Sequence, residues 1–305
     1  MRNVLNTLAK DVGSVLRSFV KRSHVSPSEQ QFAPQSQEVL PSLTVPADVV
    51  PFEWIPEGWS YLETHPTLKG WASTAILDIY KSKWNDYVSR VAQSAPISVT
   101  PESPVNEPGN LLNQNTIMVF AYSLAMAAQG RQKVSILDWG GSIGHYYLLA
   151  KAFLPGVEVE YHCKDVPMIA EYGQKLLPQA HFYADDTCLG RQYDFVLASG
   201  SLQYSADWSA VLSRLAAATS RYLLVTRLPV VNTVPSYVFI QRPYLHGYNT
   251  EYLAWCLNRG EFMHVVQAAG LELMREFVVG DNHPILNAPE SCEYYGFLFQ
   301  KPVEN

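Results

Sequence analysis

Apolar positions at the start of the chain follow a helical period. Val4, Leu5, Leu8, Val12, Val15, Leu16, Phe19 and Val20 form one stripe. Five basic residues (Arg2, Lys10, Arg17, Lys21, Arg22) stand against the single Asp11 in the same stretch. Residues 1–22 therefore predict a basic amphipathic helix, of a kind that lies on an anionic membrane surface or docks on a protein body. The period then fades, and residues 23–50, rich in Ser, Pro and Gln, read as a linker. From 51 to 130 the spacing is helical again. Ile76, Tyr80, Trp84 and Tyr87 share a face, a proline-rich break runs from Pro96 to Pro108, and 113–130 resumes with Asn115 as N-cap and Gly130 as stop. No strand pattern stands out, so 51–130 is expected to form a helical cap.

After Gly130 the period alternates between two and 3.6. VSILD (134–138), VEVEYH (157–162), HFYA (181–184), YDFVLA (193–198) and YLLVT (222–226) read as strands. Between them 144–153, 166–177 and 207–219 read as helices. Strands alternating with helices imply right-handed βαβ units and a parallel sheet over 131–305. Residues 226–248 are too long and aromatic for a bare connector and are expected to form a substrate-side insertion. The segment 250–270 reads as one helix closing on Gly270. Two strands, LELMREFVV and EYYGFLFQ, follow with no helix between them, which predicts an antiparallel hairpin at the sheet edge.

Composition narrows the picture only a little. A chain of 305 residues with 48% hydrophobic and 16% charged residues can bury a substantial core. Its net charge of −6 argues against a nucleic-acid binder. Cys163, Cys188, Cys256 and Cys292 have no C-x-x-C spacing, so no metal site is expected, and scattered thiols suit a reducing compartment. With no stretch of about 20 apolar residues, the expected location is cytoplasmic, with peripheral membrane contact through 1–22.

The chemistry concentrates in Ser135–Tyr147, SILDWGGSIGHYY. Gly140-Gly141-Ser142-Ile143-Gly144 fits G-x-S-x-G, which would make Ser142 a hydrolase nucleophile. It also fits a glycine turn that brings backbone close to a nucleotide-like ligand. A nucleophile elbow follows several strands, whereas this turn follows the first. Asp194, Asp281, His246, His264 and His283 supply triad partners only through abundance. The dinucleotide pattern G-x-G-x-x-G is not met either.

Asp138-Trp139-Gly140-Gly141-Ser142-Ile143-Gly144 resembles the D-x-G-G-G-x-G motif I of class I S-adenosylmethionine-dependent methyltransferases. Lys164-Asp165-Val166-Pro167 follows the second strand and resembles the D-L-P of small-molecule O-methyltransferases. Tyr193–Ala198 resembles motif IV, and the terminal hairpin matches the family's sheet. More narrowly, the run resembles a bacterial group of methyltransferases associated with polysaccharide biosynthesis. The resemblance covers about 131–300. It implies an α/β fold: a Rossmann-like, seven-stranded, mostly parallel sheet with an antiparallel terminal hairpin, beside the N-terminal helical cap.

It also implies S-adenosyl-L-methionine as cofactor, held by Asp138, Gly140, Gly141, Ser142, Gly144, Asp165, Asp185, Asp186 and Ser199. Asp165 would take the ribose hydroxyls, and Asp185 or Asp186 would lie near adenine. The acceptor would be a small molecule or glycan, with O-methylation favoured. In plant-type O-methyltransferases a histidine precedes the Asp-Trp after motif IV; here Ala206 stands in its place. Tyr204, His246 and His145 are the remaining catalytic candidates, and Gln203, Arg227, Arg242 and His283 the substrate-binding ones. The alternatives are a methyltransferase-fold binding module without catalysis, and the serine hydrolase.

Overall fold

A computed structural model describes residues 49–302 except 69, 94–95 and 102–108. The helix expected over 1–22 and nearly all of the linker lie outside the described residues. In chain order the elements are β1 (Phe52–Trp54), α1 (Thr74–Ala92), α2 (Leu111–Ala128), β2 (Lys133–Trp139), α3 (His145–Phe153), β3 (Glu158–Lys164), α4 (Pro167–Leu176), β4 (His181–Tyr183) and β5 (Tyr193–Ser199). There follow α5 (Trp208–Ala218), β6 (Thr219–Val231), β7 (Tyr237–Gln241), β8 (Tyr252–Asn258), α6 (Arg259–Ala268), β9 (Glu272–His283) and β10 (Cys292–Gln300). Among the described residues no helix is long and apolar enough to cross a membrane.

Strands β4, β3, β2, β5 and β6 pair in that order, all parallel. β10 then pairs antiparallel with β6, and β9 with β10. This is the Rossmann-like α/β sheet with its terminal hairpin. Its strands are apolar on both faces because helices cover both. Ile136, Phe195, Leu197, Leu224 and Leu298 point into a core shared with α1–α4. Their neighbours Leu137, Val196, Ala198, Leu223, Phe297 and Phe299 point into the core under α5 and α6. Helix α2 is part of this packing: Ile117, Phe120, Leu124 and Ala127 are buried in the same cluster as the sheet.

Three strands extend the sheet beyond the expected seven. β6 outruns β5, and its Val230 and Val231 pair with Leu257 and Asn258 of β8. Val230 also pairs with Glu293 of β10, so β8 occupies the edge that β5 has vacated. β7 pairs antiparallel with β8, and β1 with β7, carrying the sheet out past the C-terminal ends of the parallel strands.

This corrects three expectations. Residues 250–270 are a strand followed by a helix. Alternate β8 residues enter different cores, Leu253 beside Ile240 and Val238, Ala254 and Cys256 beside Tyr237 and Phe239. With both faces apolar, the period of two is hidden from the sequence. The helix starts where Asn258 Oδ1 accepts the Gly260 and Glu261 N–H groups. Residues 51–130 contain β1, a strand too short to show a period. Helix α2 begins at Leu111 because Asn110, not Asn115, caps it, accepting Asn113 N–H at 2.8 Å. Asn115 donates instead to the Val279 carbonyl.

Asn258 also donates its amide to the Val234 carbonyl at 2.8 Å, so it joins the β6–β7 turn to the start of α6. Asn258→Ala is expected to lose about 1–2 kcal/mol of stability, read as a lower urea midpoint at unchanged slope. An unaltered midpoint would show that the cap contributes nothing.

Candidate functional site

β2 is an apolar strand that ends in a carboxylate and a turn. Asp138 is 1% exposed. Its Oδ2 accepts the Tyr161 hydroxyl, and its Oδ1 is buried with no hydrogen-bond partner. Burial raises its pKa to about 7; the Tyr161 bond works against that shift and the nearby Asp165 charge adds to it. The turn has no room for side chains. A Cβ on Gly141 would lie 2.4 Å from the Asp138 carboxyl and 2.7 Å from Cys163 Sγ. Gly140 has φ +73° and would drive a Cβ to 2.4 Å from Ser201 Cβ.

The end of β3 ties this turn down. The Lys164 carbonyl accepts the Gly140 and Gly141 N–H groups at 2.8 and 3.3 Å. Asp165 Oδ2 accepts Ser142 N–H at 2.8 Å, and Oδ1 accepts Val166 N–H at 2.7 Å. Burial raises the pKa of Asp165, while these two N–H bonds and Lys164 pull it down. The Lys164 ammonium lies 4.3 Å from the Trp139 ring centroid.

Beyond the turn opens a cavity of about 890 Å³, at the upper end of the range for small-molecule sites. Its wall brings together Gly140, Ser142, Asp165 and Ser199 from the expected cofactor set, and His145, Gln203, Tyr204, Arg227, Arg242 and His246 from the others. Ser199 Oγ is 2.7 Å from the Tyr146 hydroxyl. Asp138, Gly141 and Gly144 lie behind the turn and support it. Asp185 and Asp186 are not brought to the cavity. Asp185 caps a short 3-10 turn through Thr187, and Asp186 pairs with Arg214 at 2.7 Å. The side chain of His283 lies outside the described residues.

The remaining candidates differ in what they can do. His145 has a buried Nδ1 without a partner, and burial, then the charge of Arg227, lower its pKa to about 3. Tyr204 donates its hydroxyl to Gln241 Oε1 at 3.0 Å. His246 is exposed at the rim. Gln203 is 2% exposed and donates to the Arg227 carbonyl at 3.2 Å. Arg242 is engaged by Glu53 at 2.9 Å and Glu251 at 3.4 Å. Ser142 has φ +56° and a buried Oγ without a hydrogen-bond partner, so no imidazole among the described residues activates it.

The pattern of the chain concealed an aromatic wall. Trp71 stacks on Tyr252 with centroids 4.6 Å apart, and Tyr204 stands edge-on to the two at 5.0 and 5.1 Å. Tyr80 and Tyr248 continue the wall behind Trp71. The abundance of tyrosine, 18 residues, was the one advance signal.

No protein-family model matches the chain, and no curated protein does. Among solved structures it is similar to magnesium protoporphyrin IX methyltransferase from Synechocystis PCC 6803 with bound SAH: 15% identity, 75% of this chain and 99% of that one, TM-score 0.44. It is similar to an S-adenosylmethionine-dependent methyltransferase from Clostridium acetobutylicum ATCC 824, at 8% identity over 62% of this chain and 92% of that one, TM-score 0.42. It is also similar to the (4+2)-cyclase SpnF, at 11% identity over 72% and 94%, TM-score 0.44. At these identities and scores the likeness decides nothing about chemistry, which has to be read from the residues.

Asp138 gives the site a pH signature. Unfolded, its carboxyl ionises near pH 4; folded, it keeps its proton to about pH 7. Between those values the native state binds the extra proton, so stability present below about pH 4 is lost as pH rises to about 7. Tyr161 and Cys163, which face it, are pushed well above this window, while Asp165 adds its charge. Asp138→Asn cannot ionise. Its melting temperature relative to wild type is expected to climb between pH 4 and 7 and level off above. A difference that is constant with pH would show that Asp138 ionises normally in the fold.

Proposed function

We propose that this chain transfers a methyl group from S-adenosyl-L-methionine to a small-molecule or glycan acceptor in the cytoplasm. The observation that carries the reading is Asp165: a half-buried carboxylate in the cavity wall, locked to the glycine turn. Each of its oxygens spends one lone pair on a backbone N–H and keeps another for a ligand, the arrangement a ribose diol needs. The rest of the cradle fits the same group. Gly140 is packed so closely that only backbone faces the cavity. Behind the turn, Asp138 Oδ1 is a buried acceptor without a partner, which favours positive charge nearby. The first turn of α3 presents the positive end of its dipole to this side, suited to a carboxylate.

When bound, S-adenosylmethionine supplies an electrophilic methyl group on a sulfonium. The chain's residues align the acceptor and keep water out. Trp71, Tyr204 and Tyr252 form an apolar wall for the acceptor body. Gln203 offers an unpartnered Oε1 to a donor on the acceptor. His145, with its pKa near 3, is neutral at physiological pH. It is poorly matched to deprotonating a hydroxyl and well suited to accepting a hydrogen bond from one. The rate enhancement then comes mainly from alignment and desolvation. O-methylation in polysaccharide biosynthesis is the finer reading that the motif resemblance supports, and contact of residues 1–22 with an anionic membrane fits it.

Calorimetric titration with S-adenosylmethionine tests the reading. Wild type is expected to bind, and Asp165→Ala to bind about tenfold to a hundredfold more weakly, the loss of hydrogen bonds to a charged acceptor. Asp165→Asn keeps one acceptor oxygen and should fall between them. Equal binding by all three would remove Asp165 from the ribose. Binding without S-adenosylhomocysteine formation across an acceptor panel would leave a binding module.

A further inference from the structure

Two glutamine amides stand in the cavity wall, and each is tied at one end. Gln203 Nε2 donates to the Arg227 carbonyl at 3.2 Å. That carbonyl belongs to a β-bulge of β6, where Arg227 has φ +54° and, with Thr226, opposes Gly296 of β10. Val225 pairs with Phe297 on one side of the bulge and Leu228 with Tyr295 on the other. Gln241 is tied the other way round. Its Oε1 accepts the Tyr204 hydroxyl at 3.0 Å, and no described residue accepts from its Nε2. Gln241 is 6% exposed and lines the cavity, so the untied end of its amide is presented there.

Nothing in the sequence pattern marks Gln241; its place follows from the strands that extend the sheet. It is the last residue of β7, paired with Phe52 of β1 on one side and Tyr252 of β8 on the other. Residues directly opposite in a sheet share a face, so Phe52, Gln241 and Tyr252 form one row, and all three line the cavity. Tyr204 meets this row from another segment. Its ring centroid is 5.1 Å from that of Tyr252, and its hydroxyl holds the amide. A donor flanked by aromatic side chains is costly to leave without an acceptor when a ligand displaces its water. The Tyr204 bond also sets which end of the amide meets the cavity, because turning the amide over would forfeit it. By polarising the amide, the same bond strengthens Nε2 as a donor. The adjacent Arg242 is held by Glu53 at 2.9 Å and Glu251 at 3.4 Å.

We infer that Gln241 is a binding residue for the acceptor, its Nε2 donating to a hydroxyl or carbonyl oxygen, and that Tyr204 is a positioning residue that fixes the amide in this sense. An oxygen is accepted at this point, whereas an ammonium, which has only protons to offer, is refused. As an assignment of the methyl acceptor, the inference rests on the methyltransferase reading; the oxygen-selective subsite itself does not.

The test titrates the full chain at about pH 7, with and without S-adenosylhomocysteine, with two pairs of probes: benzyl alcohol against benzylamine, and cyclohexanol against cyclohexylamine. Within each pair only the polar group differs, and the amines are cations. The expected result is that the alcohol of at least one pair binds about fivefold or more tightly than its amine, the margin of one hydrogen bond made against one refused. Gln241→Glu keeps an acceptor for Tyr204 and turns a carboxylate oxygen to the cavity, so it should reverse the order. Gln241→Met removes the donor and should erase the preference. Tyr204→Phe lets the amide present either end, so the ratio of alcohol to amine binding should collapse; a merely structural role for Tyr204 would weaken both probes alike and leave the ratio intact. Equal binding of alcohol and amine by wild type, tighter binding of the amine, no binding of either pair, or a preference that survives in Gln241→Glu and Gln241→Met overturns the inference. If S-adenosylhomocysteine does not bind but a Gln241-dependent preference remains, the methyltransferase reading fails and the subsite stands. If it binds and no preference is seen, the subsite fails alone.

Discussion

Everything at the cavity depends on the buried tie between two strand ends. Asp165 holds the glycine turn by Ser142 N–H and holds the start of α4 by Val166 N–H, while the Lys164 carbonyl takes two further N–H groups of the turn. The turn after β2 therefore cannot move without the end of β3. That rigidity has an electrostatic cost, because it sets a second carboxylate near Asp138 in a region that water barely reaches. Asp138 responds by keeping its proton up to about pH 7. One acid in the cavity wall and a second behind the turn, reluctant to ionise, would favour a cation bound beside them.

Local strain is concentrated in the same place. Among the described residues, the non-glycine positions with positive φ are Ser142, Arg227 and Asn287, and the first two lie in the cavity wall. Each sits where one sheet feature must be re-aimed: the turn at the end of β2, and the bulge of β6. The apolar layers on both faces of the sheet are extensive enough to hold these distortions. The bulge has a second consequence, since β6 continues past it to recruit β8, and with β8 come β7 and β1, which place Phe52, Gln241 and Tyr252 in the cavity wall.

The parallel sheet, its crossovers and the terminal hairpin were legible because each strand is bounded by turn residues and each helix keeps its own period. The glycine turn was legible too, since Asp138, the glycines and Asp165 stand at strand ends fixed by local chain. What escaped reading depends on partners distant in sequence. β8 is apolar on both faces because Ile285 and Cys292 pack on one and Ile55 and Trp59 on the other, so its period could not be told from that of a helix. The stack of Trp71, Tyr204 and Tyr252 is assembled from three separate segments. Arg242 looked available for an anion until the fold brought Glu53, 189 residues earlier, to 2.9 Å. Asp185 and Asp186 stand outside the cavity lining, one capping a 3-10 turn and the other paired with Arg214.

Charge balance joins the two halves of the cavity. The proposed cofactor brings a sulfonium and an ammonium against its own carboxylate, leaving a positive excess on the side of Asp138 and Asp165. Burial, and then the charge of Arg227, keep His145 neutral at physiological pH. Were the methyl group passed to a hydroxyl, the positive charge of the sulfonium would pass with it to the acceptor oxygen and leave as a proton. That proton would leave to solvent rather than to His145, whose surroundings disfavour the imidazolium.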